Sequence, residues 1–410
     1  MKRVVVTGLG CISPVGNDVE TFWQNLIAGK HGFGAITKFD TSEFKVKIAA
    51  EVKGFNPEAY MEKKEIRRSD LFTQYALGAA AQAVEESGVA GAVEPTRFGV
   101  YIGSGIGGID TFTAETEKLL TKGPGRVSPL AIPMMIANMA SALVAMKHNA
   151  RGPNLPVISA CASSTNSIGE AFRAIKFGYA DAIIAGGTEA SINPLGVSSF
   201  INCMALSTTN DPDNSSIPFD RRRNGFVMGE GAGIIILEEY EHALKRNAKI
   251  YCEISGYGNT CDAYHITAPR PDGLGGAEMI RLAMQESGLE ADEKLYINPH
   301  GTSTPLNDRA ETLAIKAAFG DMAYKIPISS TKSMIGHMLG AAGGAEAIAA
   351  IKVIDTGLIP PTAGYKEPDP DCDLDYVPNV ARKCNIDKAL SISLGFGGHN
   401  AGIVFNKLTV

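Results

Sequence analysis

A cysteine stands where a short apolar run meets an amphipathic helix, in the string VISACASS at positions 157–164. Ile168, Ala171, Phe172 and Ile175 follow the i, i+3, i+4, i+7 spacing of a helix that Gly178 can end, and Val157 and Ile158 read as the end of a buried strand. Cys161 then lies at a helix N-terminus. Unpaired backbone N–H groups and the positive end of the helix dipole favour a thiolate there, so the position predicts a lowered thiol pKa without a dedicated general base. The small neighbours Ser159, Ala160, Ala162, Ser163 and Ser164 leave room for a substrate to approach. Most free cysteines are buried structural residues, so the argument for catalysis needs partners from elsewhere in the chain.

Three strings supply them: NPHGTST at 298–304, SSTKSMIGH at 329–337 and GFGGHN at 395–400. Each follows a predicted strand, and loops at the carboxyl ends of strands are where α/β proteins place ligands. A thiol facing two histidines suits carbon–carbon bond formation. Attack of Cys161 on a thioester passes through an oxyanion, which the backbone N–H groups of Cys161 and Phe396 can stabilise. Neutral His300 and His337 can each donate an Nε2–H bond to the enolate formed when a malonyl thioester loses carbon dioxide. Lys332 would keep His337 neutral by like-charge repulsion, and Glu346 is its expected partner because a buried ammonium must be paired. A surface position for Glu346 on its helix is the competing expectation.

The elements that must hold these residues come from internal similarity. The string AVEESGV at 83–89 reappears as AMQESGL at 283–289, each copy preceding a strand (98–102; 295–298). Strand 157–160 and helix 162–178 match 326–330 and the helix 341–354; GAGIIIL at 231–237 matches NAGIVF at 400–405. Strands alternating with helices predict mainly parallel sheets covered on both faces. Two pseudo-symmetric α/β halves follow, residues 1–250 with the nucleophile and 251–410 with the two histidines, stacked as a five-layered α-β-α-β-α body. A strand over Val4–Thr7 opens the chain, and Asn17 with Glu20 reads as a capping box for a helix to about Ala28.

Composition narrows the class. Of 410 residues, 45% are hydrophobic and 20% charged, the profile of an ordinary globular protein. A net charge of -6 argues against a nucleic-acid binder, so any acidic partner must meet a local basic patch. Seven scattered cysteines without a CxxC pair fit a reducing compartment and argue against structural zinc. With no leader at the N-terminus and no long uncharged apolar run, a cytoplasmic protein without membrane spans is expected. The run GSGIGG at 103–108 lacks the GK[ST] ending of a phosphate cradle.

These motifs, over essentially the whole chain, resemble the β-ketoacyl-acyl-carrier-protein synthases of the thiolase fold, and within them the synthase II group. The resemblance implies that Cys161 carries the acyl group, that His300 and His337 complete a Cys-His-His site, that Lys332 and Glu346 support it, and that Phe396 gates the acyl pocket. It implies contacts from Thr302 and Thr304 to the carrier's phosphopantetheine arm, which arrives on the carrier, so that neither a resident cofactor nor a metal is expected. It also implies an acyl carrier protein as partner, a homodimer, and Ile106 as a pocket-lining residue where synthase I has glycine. Because carriers are acidic, Lys63, Lys64, Arg67, Arg68 and Arg126 are the expected docking patch. Pro299, His399 and Met204 depart from the usual pattern, at positions where alanine, threonine and arginine are common, and none removes a catalytic group.

Neighbouring chemistries leave marks that are missing or contradicted. A thiolase needs a second cysteine in a C-terminal CxG string, where Gly397 and Gly398 stand instead; synthase III uses Cys-His-Asn, against His337; a chain-length factor lacks the cysteine. A polyketide ketosynthase keeps every catalytic residue, and a noncatalytic acyl-binding scaffold would keep the fold without needing the triad.

Overall fold

The structure, a computed structural model, describes residues 1–288 and 290–408; Leu289, the last residue of the second repeat copy, lies outside them. Eight strands matter for the site: β1 (Val4–Ile12), β2 (Phe98–Gly103), β3 (Ala182–Glu189), β4 (Gly231–Glu239), β5 (Cys252–Cys261), β6 (Leu295–Asn298), β7 (Lys388–Gly395) and β8 (His399–Asn406). The helices that cover them are α1 (Val19–Ile27), α2 (Leu71–Ser87), α3 (Ser163–Lys176), α4 (Leu274–Ser287), α5 (Pro305–Phe319) and α6 (Ala342–Thr356).

The strands form one sheet in the order β2-β3-β4-β1-β5-β8-β7-β6. Its two halves mirror each other, since β2 pairs β3 and β6 pairs β7 in parallel while the remaining neighbours run antiparallel. The expectation of mainly parallel sheets therefore fails. After the parallel pair, each half adds a strand that reaches its neighbour by reversing direction, and β1 and β5 join the halves edge to edge.

Five layers result. Helix α2 covers β1, β3 and β4 on one outside, α4 covers β5 and β8 on the other with α5 behind it, and α3 and α6 lie between the two half-sheets. The residues of β4 show why the sheet needs cover on both sides. Ile234 and Ile236 join the core against α2, whereas Ile235 and Leu237 join the central core with Ala345 and Ile348 of α6. Alternate residues of a strand face opposite ways, so an unbroken apolar run is stable only when both faces are buried, at about 1.5–3 kcal/mol for each such side chain. Glycine sets the closeness of α6: a Cβ on Gly233 would lie 2.2 Å from Ala345 N. Glu346 thus enters the central layer with its helix.

Two local expectations need correction. Asp18, not Asn17, caps α1, its Oδ1 accepting the Thr21 N–H at 2.7 Å, while Asn17 donates to Lys53 O. Val157 and Ile158 are no buried strand. Residues 153–155 bond briefly to Val100 on the edge of β2, but Pro153 and Pro156 have no N–H to extend the ladder, and Ile158 is 59% exposed. The matching segment 326–330 makes only an isolated bridge, Ile328 with Ile297.

Candidate active site

Cys161 occupies a one-turn 3-10 segment (Ala160–Ala162) immediately before α3. His300 follows β6, His337 follows the short helix Lys332–Ile335, and Phe396 stands in the turn between β7 and β8. The central layer and the strand ends bring them together. One ligand-type atom each from Cys161, His300 and His337 lies within 4.8 Å of the other two. The imidazoles meet edge to face, centroids 5.1 Å apart and planes at 84°, and Phe226 packs at 5.0 Å against His337. A cavity of about 240 Å³ opens onto the three, lined also by Thr302, Thr304 and Phe396.

Behind the histidines, Lys332 and Glu346 form a fully buried ion pair, so the surface reading of Glu346 is wrong. Lys332 Nζ also stands 3.4 Å from His300 Nδ1. An ammonium only donates, so His300 Nδ1 is the acceptor and its proton sits on Nε2. Burial, and then Lys332, hold both imidazoles well below the ordinary histidine range; like-charge repulsion is thus the second cause and desolvation the first. Both rings are neutral donors.

The thiol behaves differently from the expectation. Burial pushes Cys161 up to about 12, against the opposing influence of Lys332 and of the Phe396 and Cys161 backbone N–H groups. The helix start is real, but removing a thiolate from water costs more than these groups return. The resting nucleophile is a neutral thiol, 8% exposed, with two N–H groups already at the sulfur where an oxyanion would form.

Two buried carboxylates escaped the reading of the sequence. Glu311 on α5 accepts the backbone N–H of His300 at 2.6 Å and of Gly301 at 2.7 Å, and burial raises it to about 8. The signal was there, since Asp308 and Glu311 occupy the same helix stripe as Ile315 and are fully covered. Glu189, the last residue of β3, accepts Gly105 N at 2.7 Å, Gly340 N at 3.0 Å and Ser104 Oγ at 3.1 Å. It ties the turn that carries Ile106 to the segment just beyond His337. Nothing in the local sequence marks it, because Ser104 and Gly105 come from one distant loop and Gly340 from another.

Model matches decide the family: the Beta-ketoacyl synthase N-terminal domain over residues 1–243 and the C-terminal domain over 251–366. The chain belongs to the β-ketoacyl synthase family. It is 52% identical over 408 residues to the 3-oxoacyl-[acyl-carrier-protein] synthase 2 of Synechocystis sp., covering 99% of this chain and 98% of that one. A Staphylococcus aureus protein of the same name is 50% identical over 407 residues, with the same coverage. Among solved structures, the ishigamide ketosynthase/chain length factor superposes with TM-score 0.93 at 36% identity, and a beta-ketoacyl synthase from Burkholderia phymatum with 0.92 at 33%, both over the full length of each chain. The fold of this synthase is therefore thiolase-like.

The expected docking residues and Ile106 lie apart from the triad. Lys63, Lys64, Arg67 and Arg68 are exposed on and just after a short helix, Arg126 is exposed on a separate turn, and among the described residues only Lys63 of the five has an ion-pair partner, Glu58. Ile106 does not line the cavity beside Cys161; it is 40% exposed. Met204 stands at the cavity with φ of 56° and 90% exposure. Pro299 is buried and His399 half-buried, and Cys161, His300 and His337 still converge. Among the described residues no helix is long and apolar enough to cross a membrane.

Proposed function

We propose that this synthase condenses an acyl chain held on Cys161 with a malonyl group on an acyl carrier protein, lengthening fatty acids. The observation that carries the reading is the convergence of one thiol and two neutral imidazoles on one cavity, in a chain half identical to proteins named 3-oxoacyl-[acyl-carrier-protein] synthase 2. In the first half-reaction the Cys161 sulfur attacks the acyl thioester carbonyl, the oxyanion rests against the Phe396 and Cys161 N–H groups, and the carrier thiol leaves with the proton. In the second, the malonyl carboxylate departs as carbon dioxide while His300 and His337 donate to the enolate oxygen. The enolate carbon then attacks the acyl carbonyl and displaces Cys161, giving a 3-oxoacyl carrier.

No step calls for a resident cofactor or a metal. Cys161, His300 and His337 have spacing that would admit a metal ion, but the Lys332 ammonium beside His300 would repel it, and the same groups serve the reaction as nucleophile and donors. The phosphopantetheine arm comes with the carrier, and Thr302 and Thr304, whose hydroxyls meet at 3.0 Å on the cavity wall, are placed to receive its amides. The test is condensation of acyl carriers of graded length with malonyl carrier protein; no 3-oxo product at any length would overturn the proposal. A solved neighbour at 35% identity, a type II PKS acyl-carrier protein in complex with its ketosynthase, keeps a polyketide role in view. Product analysis separates the two, since a polyketide enzyme extends a 3-oxo chain that has not been reduced.

The exposed cations give the carrier its docking place within this proposal. On a chain of net charge -6, attraction for an acidic partner must be local. Reversing Arg67 and Arg68 to glutamate is expected to raise KM for carrier-bound substrates at low salt and to flatten its salt dependence, with kcat held. Unchanged steady-state kinetics at low salt would remove the patch from consideration.

Ile106 enters a second part of the proposal. With Phe112, Ile132, Leu155 and Ile158 it is among the exposed apolar residues between positions 106 and 158, the kind of surface a second copy covers. We place a homodimer there, checked by sedimentation, in which the acyl pocket reaches Ile106 at the interface. Ile106→Phe is then expected to block medium and long acyl chains from Cys161 and leave short primers active, because overfilling a packed site is costly. Equal loss at every length in an acylation series would show a purely structural residue.

A further inference from the structure

The nucleophile sits on a strained turn. Ala160 has φ of 51°, a left-handed value that alanine rarely adopts, and such strain persists only where the surroundings hold it. The Ser163 hydroxyl donates to Ala160 O at 2.7 Å and accepts the Ser159 N–H at 3.0 Å. One step further back, buried Asn166 donates from Nδ2 to Ser159 Oγ at 2.6 Å. Its Oδ1 accepts the Tyr257 hydroxyl at 2.7 Å, and Tyr257 belongs to β5 in the other half of the chain.

This chain of bonds has one direction. An amide oxygen can only accept, so the phenol donates to it and the Asn166 amide is fixed with Nδ2 toward Ser159. Burial raises the Tyr257 pKa, which keeps that donor protonated. Space is reserved for the ring: a Cβ on Gly169 would lie 2.3 Å from it, and the Arg173 guanidinium covers it at 4.5 Å. Neither Asn166 nor Tyr257 lines the cavity.

We propose that Asn166 and Tyr257 are positioning residues for Cys161, holding the Ser159–Ala160 turn so that the sulfur faces an incoming thioester. The proposal rests on Cys161 being the acyl acceptor, and it assigns the aiming of the nucleophile in one half to a phenol supplied by the other. A structural role alone would disturb malonyl decarboxylation along with acyl transfer; a positioning role slows acyl transfer and leaves decarboxylation, which makes no use of the sulfur.

The test uses Tyr257→Phe, which removes only the hydroxyl, and Asn166→Ala. Single-turnover acyl transfer to Cys161, followed by mass spectrometry, is expected to slow roughly 10- to 100-fold in each, the scale on which a misplaced reacting group costs rate. Malonyl decarboxylation, read in a Cys161→Gln background, is expected to stay at the level of the Cys161→Gln protein. Unchanged acylation overturns the proposal, as does an equal fall in both rates. Should Asn166→Ala fail to fold, Tyr257→Phe decides alone. An acyl group mapped to another residue of the unaltered protein would overturn the assignment of Cys161 itself, and the proposal with it.

Discussion

Cys161→Ala is expected to abolish both acyl transfer and condensation, whereas Cys161→Gln is expected to lose condensation and keep malonyl decarboxylation. The asymmetry follows from the division of labour in the site. The sulfur is needed for the first half-reaction, while the groups that stabilise the enolate lie on His300 and His337. A glutamine amide at 161 would stand in for the acylated thiol and leave that second machinery intact. Peptide mapping after acylation gives the decisive reading, because exposed Cys203 lines the same cavity and is the obvious rival. Acyl label on Cys203, or condensation surviving in Cys161→Ala, would sink the assignment.

His300→Ala and His337→Ala carry the second large effect. Each removes a neutral donor from the place where enolate charge develops, so decarboxylation is expected to fall by roughly 100-fold or more, the loss that follows removal of one oxyanion donor. Acylation of Cys161 should survive in part, since its oxyanion is served by backbone N–H groups. The pH dependence adds a sign. Burial and Lys332 lower both imidazole pKa values, so the neutral donor form is complete at and above about pH 6.5, the ordinary histidine value. Decarboxylation should therefore be flat as pH rises from there to 8; a rate lost on raising the pH through that range would make imidazolium the donor and overturn the roles of His300 and His337 as neutral donors.

The sequence carried the site further than it carried the fold. Cys161, His300 and His337 each follow a local signal, a helix start or a small-residue turn after a strand, and such signals survive without tertiary context. The Lys332–Glu346 pair was legible because a buried ammonium needs a counter-charge. Sheet direction was not, because the alternation of strands and helices is the same whether the returning strand adds in parallel or antiparallel. The Cys161 pKa went the wrong way since a helix dipole can be read locally, while full burial depends on Leu206, Phe226, Met228 and Leu339, from distant parts of the chain, packing into one cluster with Cys161. Glu189 acts on backbone N–H groups far away in the chain, and Asn166 and Tyr257 are joined across the two halves. None of these pairings leaves a spacing to find.

Pairing Val4 of β1 with Glu239 on one side and Ile254 on the other makes the first strand of the chain wait for partners from far along it. A polypeptide leaving the ribosome therefore carries β1, an almost wholly apolar strand with both edges open, through the synthesis of more than half its length. Contacts so distant in sequence are paid for in loop-closure entropy before they return any energy, so folding is slow and the waiting strand is a site for misassembly and for chaperones. The topology that aims a thiol and two imidazoles at one point thus sets a kinetic hazard at the opposite end of the protein's life, before there is any site to aim.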